Sequence, residues 1–188
     1  MNYGIYKNAR NAAWQCIVDF KINSLPVMVS KIAKSAGITV FRNSDSNILE
    51  ADQSGKTIIQ NDKFYVIYRD TESSSRCRFT IAHELGHIFL GHLMINTPQY
   101  RTFKIQDDTE SAANVFARDL LAPACVLHEL RAVSAADISK LCNISLEAAT
   151  YRAERMHELE KRNAWYLHPL ERKVREQFDD FIKSKLSG

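Results

Sequence analysis

The sequence predicts an α+β fold in which helices flank one small sheet. Two observations carry this. Four short β-prone segments fall together between residues 38 and 68, and helical periodicity governs the chain before and after them. Strand and helix do not alternate as they would in a parallel α/β sheet.

The elements follow in order. Ala9, Ala12, Ala13, Cys16, Ile17 and Phe20 recur at helical spacing and predict a first helix over residues 6–20. Asn23-Ser24-Leu25-Pro26 breaks it. Pro26 suits the first turn of a second helix, about 26–36, which Gly37 ends. Strands are expected at 38–41, 47–51, 56–61 and 63–68, joined into a small antiparallel sheet, with Gln60-Asn61-Asp62-Lys63 as a tight connection. Ser73-Ser74-Ser75 offers N-caps for a helix running to Leu90, and Gly91 stops it. Residues 96–108 contain Pro98 and few periodic apolar positions, which predicts a loop. Helices are then expected at 109–121, at 123–131, after the N-cap candidates Ser134 and Ser145, and from Pro169 to Leu186.

Composition excludes several classes. The chain has 188 residues, 45% of them apolar and 25% charged, which is ordinary for a globular fold with its own core. With only 6 Gly and 4 Pro, long disordered stretches are not expected. A net charge of +3 is too small to mark a nucleic-acid binder. No apolar run approaches the roughly 18 residues of a membrane span, and the N-terminus lacks the pattern of a signal peptide. The expected location is therefore cytoplasmic. Cys16, Cys77, Cys125 and Cys142 are scattered with no C-x-x-C pair, so they read as reduced structural thiols.

The chemistry concentrates in His83-Glu84-Leu85-Gly86-His87, an H-E-x-x-H motif. Histidines at i and i+4 project from one helix face and can reach one ion, and zinc suits that ligand set. Glu84 lies about 100° round the helix from His83. That keeps it off the metal but within reach of a water, as a general base requires. The stripe Phe79, Ala82, Leu85, Gly86 and Phe89 can pack into the core, and Gly86 there points to a close backbone approach. A bland reading remains: a half-buried helix carrying two unrelated histidines.

A catalytic zinc needs a third protein ligand. A third histidine in the pattern H-E-x-x-H-x-x-G-x-x-H would require Gly at 90 and His at 93, and the chain has Leu90 and Leu93. Glu110, 23 residues beyond His87, is the better candidate, with Asp107, Asp108 and Asp119 as rivals. Asp107 and Glu110 also fit a capping box, so a purely structural role for Glu110 competes. Asn114, one turn on from Glu110, can hydrogen-bond a ligating imidazole and set its tautomer. His92 and Tyr100 are candidates for stabilising an oxyanion or supporting the site, with His92 equally readable as a surface or core histidine. His128, His157 and His168 lack metal-like spacing and read as structural.

The run from Arg78 to His92 resembles the core of the ImmA/IrrE family of bacterial zinc metallopeptidases. Glu110-x-x-x-Asn114-x-Phe116-Ala117-x-x-Leu120-Leu121-x-Pro123 is similar to that family's second block, and Leu25-Pro26-Val27 with Ile32-Ala33 and Gly37-Ile38 to its N-terminal region. The resemblance implies a minimal zincin-like metalloprotease domain at residues 1–125, with a helical region at 126–188. It implies zinc held by His83, His87 and Glu110, with Glu84 catalytic. Ala112 departs from the family, which often has an acidic residue there. The resemblance also implies a target: a helix-turn-helix transcriptional repressor, in a phage, mobile-element or stress-response circuit. The alternative is a non-enzymatic regulator or toxin–antitoxin partner that binds a repressor or DNA.

Residues 134–160 superficially resemble a helix-turn-helix, whose recognition helix would carry Arg152 and Arg155. Against direct DNA binding, residues 151–188 carry nine Lys/Arg interleaved with seven Asp/Glu, which favours a helical lobe.

Overall fold

The computed structural model describes residues 3–95, 103–163 and 165–187. It is α+β, a three-stranded sheet among helices. The chain divides into two compact units. One comprises residues 1–12 and 28–117, the other residues 13–27 and 118–188.

Helix α1 (Tyr3–Asp19) contributes Ala9 to a cluster in the first unit with Ala112 and Val115, covered by Ile5, Tyr6 and Leu90. Small Ala112 is thus part of a packed apolar contact, and an acidic side chain there would enter it at a desolvation cost. Helix α2 (Val29–Ser35) buries Val29, Ile32 and Ala33 and packs on α4 (Ser74–Phe89) and on strand β1 (Thr39–Arg42). It starts three residues after Pro26 rather than at it. Gly37 follows with φ +71°, a left-handed conformation that glycine adopts at little cost.

The sheet differs from the expected one in two ways. Its order is β1-β3-β2, with β2 (Gly55–Gln60) antiparallel to β3 (Lys63–Tyr68) and β1 parallel to β3, so it is mixed rather than antiparallel. The expected strand at 47–51 does not form. A one-turn helix, α3 (Asn43–Ser46), ends at Asn47 with φ 49°. The following backbone is satisfied by side chains instead of a ladder: Asn43 Oδ1 accepts from Ile48 N and Leu49 N at 3.0 and 2.9 Å, and Arg69 Nε donates to Gln53 O at 2.9 Å. The β2–β3 hairpin turns through Asn61 and Asp62, both with positive φ, as a two-residue hairpin loop requires.

Helix α4 begins where Ser73 accepts from Arg76 N. Both β2 and β3 pack on it, and Ile81, Ala82 and Leu85 of the helix and Val66 and Ile67 of the sheet are buried. A short α5 (His92–Ile95) follows Gly91, whose φ is also +71°. Helix α6 runs from Phe103 to Leu121, beginning six residues before the expected start and within the stretch read as loop.

In the second unit, α7 (Ala124–Glu129) packs with α10 (Pro169–Gln177), and α8 (Ala135–Cys142) with α9 (Leu146–Lys161). Ser134 and Ser145 cap α8 and α9 by accepting from Asp137 N and Ala148 N. The C-terminal helix is broken at Phe178, where α10 hands over to α11 (Asp179–Leu186). No helix among the described residues is long and apolar enough to cross a membrane. Cys16, Cys77, Cys125 and Cys142 are free thiols.

Candidate metal centre

Helices α4 and α6 meet at Gly86. A Cβ there would lie 3.1 Å from Phe116 Cδ1, 3.2 Å from Ala113 Cα and 3.3 Å from Ala113 O. The missing side chain lets the two backbones close together, which brings one helix turn of imidazoles opposite a carboxylate.

His83 Nε2 and His87 Nε2 are 3.0 Å apart. Glu110 Oε2 lies 3.1 Å from His83 Nε2, and its Oε1 lies 3.4 Å from His87 Nε2. A tetrahedral zinc with ligand bonds of about 2.0–2.1 Å has ligand–ligand edges of about 3.3–3.4 Å. The three side chains therefore converge to within about 0.3 Å of those edges, and the donor set suits one such ion. The histidine side chains retain 16% and 13% of their exposure and Glu110 51%, so the site opens to solvent on the carboxylate side.

The outer nitrogens decide where the lone pairs point. His83 Nδ1 lies 2.9 Å from Asn114 Oδ1. The amide oxygen can only accept, so Nδ1 carries the proton and Nε2 offers its lone pair to the cluster. Burial opposes protonation of His83, yet the Glu110 hydrogen bond and the charges of Glu84 and Glu110 outweigh it, and its pKa lies above the ordinary 6.5. The Glu110 carboxyl is held far below its usual range by hydrogen bonds to His83 and His87, despite partial burial.

Glu84 is buried, at 8% exposure, on the flank of the cluster. Its Oε2 accepts a 2.6 Å hydrogen bond from the Thr57 hydroxyl on β2. A Cβ at Gly55 would lie 3.4 Å from Glu84 Oε1 and 2.3 Å from Thr80 Cγ2. Only glycine lets β2 cross α4 this closely. Gln53, Gly55, Thr57, Phe79, His83 and Glu110 are among the walls of a cleft of about 700 Å³.

The family model described as the IrrE N-terminal-like domain, a peptidase family, matches residues 33–154 and so spans α4, the cluster and α6. The chain belongs to this family. A solved structure described as a Mycobacterium tuberculosis transcriptional regulator matches with a TM-score of 0.58 at 16% identity, over 78% of this chain. The match covers 46% of that structure, so this chain spans about half its length, and at this identity the likeness is one of fold. No curated protein matches.

The family match coincides with the H-E-x-x-H helix and its partner, and the remaining candidates sort around them. Asp107, the proposed N-cap of a capping box, lies inside α6, which starts at Phe103, so Glu110 does not occupy the third position of a helix. Asp119 is buried at 2% exposure and engaged by arginines, which removes it as a rival ligand. His92 does not face the open side of the cluster. It is buried at 8% exposure, its Nδ1 lies 3.0 Å from His87 Nδ1, and it therefore stands behind that ring and not at an oxyanion position. Burial and the neighbouring His87 push its pKa down to about 4. Tyr100 lies outside the described residues.

The DNA-reading role considered for Arg152 is overturned. Its side chain is 1% exposed, with Nη2 2.9 Å from Asp119 Oδ1 and Nε 2.6 Å from Ala122 O, so it ties α9 to the end of α6 and reaches no ligand. His128 pairs with Glu160 at 2.5 Å and stacks on Trp165 with ring centroids 4.1 Å apart. His168 caps α10 by accepting from Leu170 N. Both are structural.

Thr57 and Gly55 had no local signature. The one available hint is a glycine opening a strand beside a threonine, since glycine in a strand often marks a close approach.

Proposed function

We propose that this chain is a regulatory zinc endopeptidase acting on a helix-turn-helix transcriptional repressor. The observation that carries the peptidase reading is the pairing of a convergent His83–His87–Glu110 cluster with a separate buried carboxylate, Glu84, at its flank. A structural metal site has no use for that base. Zinc bound by the cluster would supply Lewis-acid polarisation of a carbonyl and acidify water.

The residues of the chain do the rest. Glu84, fixed by Thr57, accepts a proton from the attacking water and returns it to the leaving amine. The strand β2 is positioned to receive the substrate. Arg69 N donates to Ser54 O, which makes residues 54, 56, 58 and 60 the positions bonded to β3. The backbone groups of Gly55, Thr57 and Ile59 then point away from β3, to an edge that pairs with no other strand among the described residues, beside Glu84. An extended peptide can add there as a strand, held by main-chain hydrogen bonds. The fold shared with a protein described as a transcriptional regulator, together with membership of a peptidase family, supports a regulatory setting. The sequence resemblance is what supports a repressor as the substrate.

The test incubates zinc-loaded wild type and Glu84→Gln with the helix-turn-helix repressor encoded beside the gene and follows intact mass. Cleavage at a defined bond by wild type alone supports the proposal. A repressor left whole by both, yet bound by both, favours the non-enzymatic regulator.

A further inference from the structure

We propose that His92 is a positioning residue for the metal centre, holding the His87 ring so that its Nε2 lone pair points at His83 and Glu110. The inference rests on the zinc reading above and adds a member that sits outside the ligand set. Its basis is a chain of contacts. His87 Nε2 lies 3.0 Å from His83 Nε2, so it is the nitrogen facing the cluster. His87 Nδ1 lies 3.0 Å from His92 Nδ1. If His87 is to offer Nε2, its proton resides on Nδ1, and His92 must accept it through an unprotonated Nδ1. The two ligating imidazoles are then oriented in the same manner from opposite ends of the site: Asn114 accepts from His83 Nδ1, and His92 accepts from His87 Nδ1. Gly91, with φ +71°, is the turn that carries the chain out of α4 and into α5, where His92 sits behind His87. Burial of His92 keeps water from competing for the contact.

Zinc affinity, measured by competition with a chromophoric chelator, and the visible absorption of the cobalt(II)-substituted protein test this without any substrate. His92→Phe keeps a ring and removes the acceptor. His92→Asn places an acceptor oxygen where Nδ1 stood, and His92→Gln places one near Nε2. Zinc affinity is expected to fall about 10- to 100-fold in His92→Phe and in His92→Gln, with an altered cobalt spectrum, whereas His92→Asn stays within about threefold of wild type with the wild-type spectrum. Far-UV circular dichroism of the metal-free proteins checks folding. If His92→Phe does not fold, the contrast between Asn and Gln decides the matter. Equal affinity and spectra across the variants overturn the positioning role while leaving the zinc reading standing. A wild type that binds neither metal overturns both.

Discussion

The Thr57 hydroxyl donates a 2.6 Å hydrogen bond to Glu84 Oε2, so the sheet edge that borders the cleft also fixes the carboxylate beside the His83–His87–Glu110 cluster. A hydrogen bond to a charged group is worth about 1.5–3 kcal/mol. Thr57→Val keeps the shape and β propensity but loses the donor. It is expected to lower kcat for repressor cleavage about 10- to 100-fold with zinc content unchanged, and Thr57→Ser to retain most of the rate. Equal rates for Val and wild type would detach Thr57 from the base.

Gly86→Ala tests the approach of α4 and α6. Alanine gains up to about 1 kcal/mol of helix propensity. Its Cβ would press on Ala113 backbone atoms at 3.2 and 3.3 Å, which cannot rotate away, and overpacking of this kind costs about 1–3 kcal/mol. Urea unfolding of the metal-free protein is expected to show net destabilisation, accompanied by weaker zinc binding. A more stable variant would mean that the helices separate without loss.

The Asp119–Arg152 pair makes a stability prediction. Asp119→Ala leaves the Arg152 guanidinium buried with a carbonyl, Ala122 O, as its one remaining partner among the described residues, and is expected to cost about 3–5 kcal/mol in denaturant unfolding. Burial alone would raise the Asp119 pKa, but Arg152 and Arg118 hold it below the ordinary 3.8. A depressed carboxylate stabilises the fold above its unfolded pKa, and that contribution is lost only as pH falls through the lower folded value. The difference between wild type and Asp119→Ala should therefore persist at neutral pH and shrink below about pH 4.

Zinc affinity should fall with acidity. A protonated imidazole cannot ligate, and in the metal-free protein His83 binds its proton more tightly than an ordinary histidine. The weakening should begin at a pH somewhat above the usual histidine value and approach about tenfold per pH unit for each proton displaced. Calorimetric titration between about pH 5.5 and 8 checks this. A flat profile would exclude histidine ligation.

The sequence carried the parts of this site that depend on local geometry. His83 and His87 share a helix face because they are four residues apart, and Asn114 shares one with Glu110 for the same reason. What it did not carry depends on tertiary placement. The direction of β1 is set by which strand it pairs with, and the backbone of the β-prone segment at 47–51 bonds to Asn43 and Arg69 side chains instead of a ladder. Arg152 reads as a surface charge until Asp119 is found beside it, 33 residues earlier. Thr57 meets Glu84 across 27 residues, and His92 reaches the back of His87 only because Gly91 turns the chain.

The most direct test of the account is the anomalous X-ray signal at the zinc edge from a crystal of the metal-loaded protein. One zinc ion per chain, about 2.0–2.2 Å from His83 Nε2, His87 Nε2 and a Glu110 carboxylate oxygen, is the predicted result. No ion between these side chains, or an ion held elsewhere with Glu110 turned away, would contradict it.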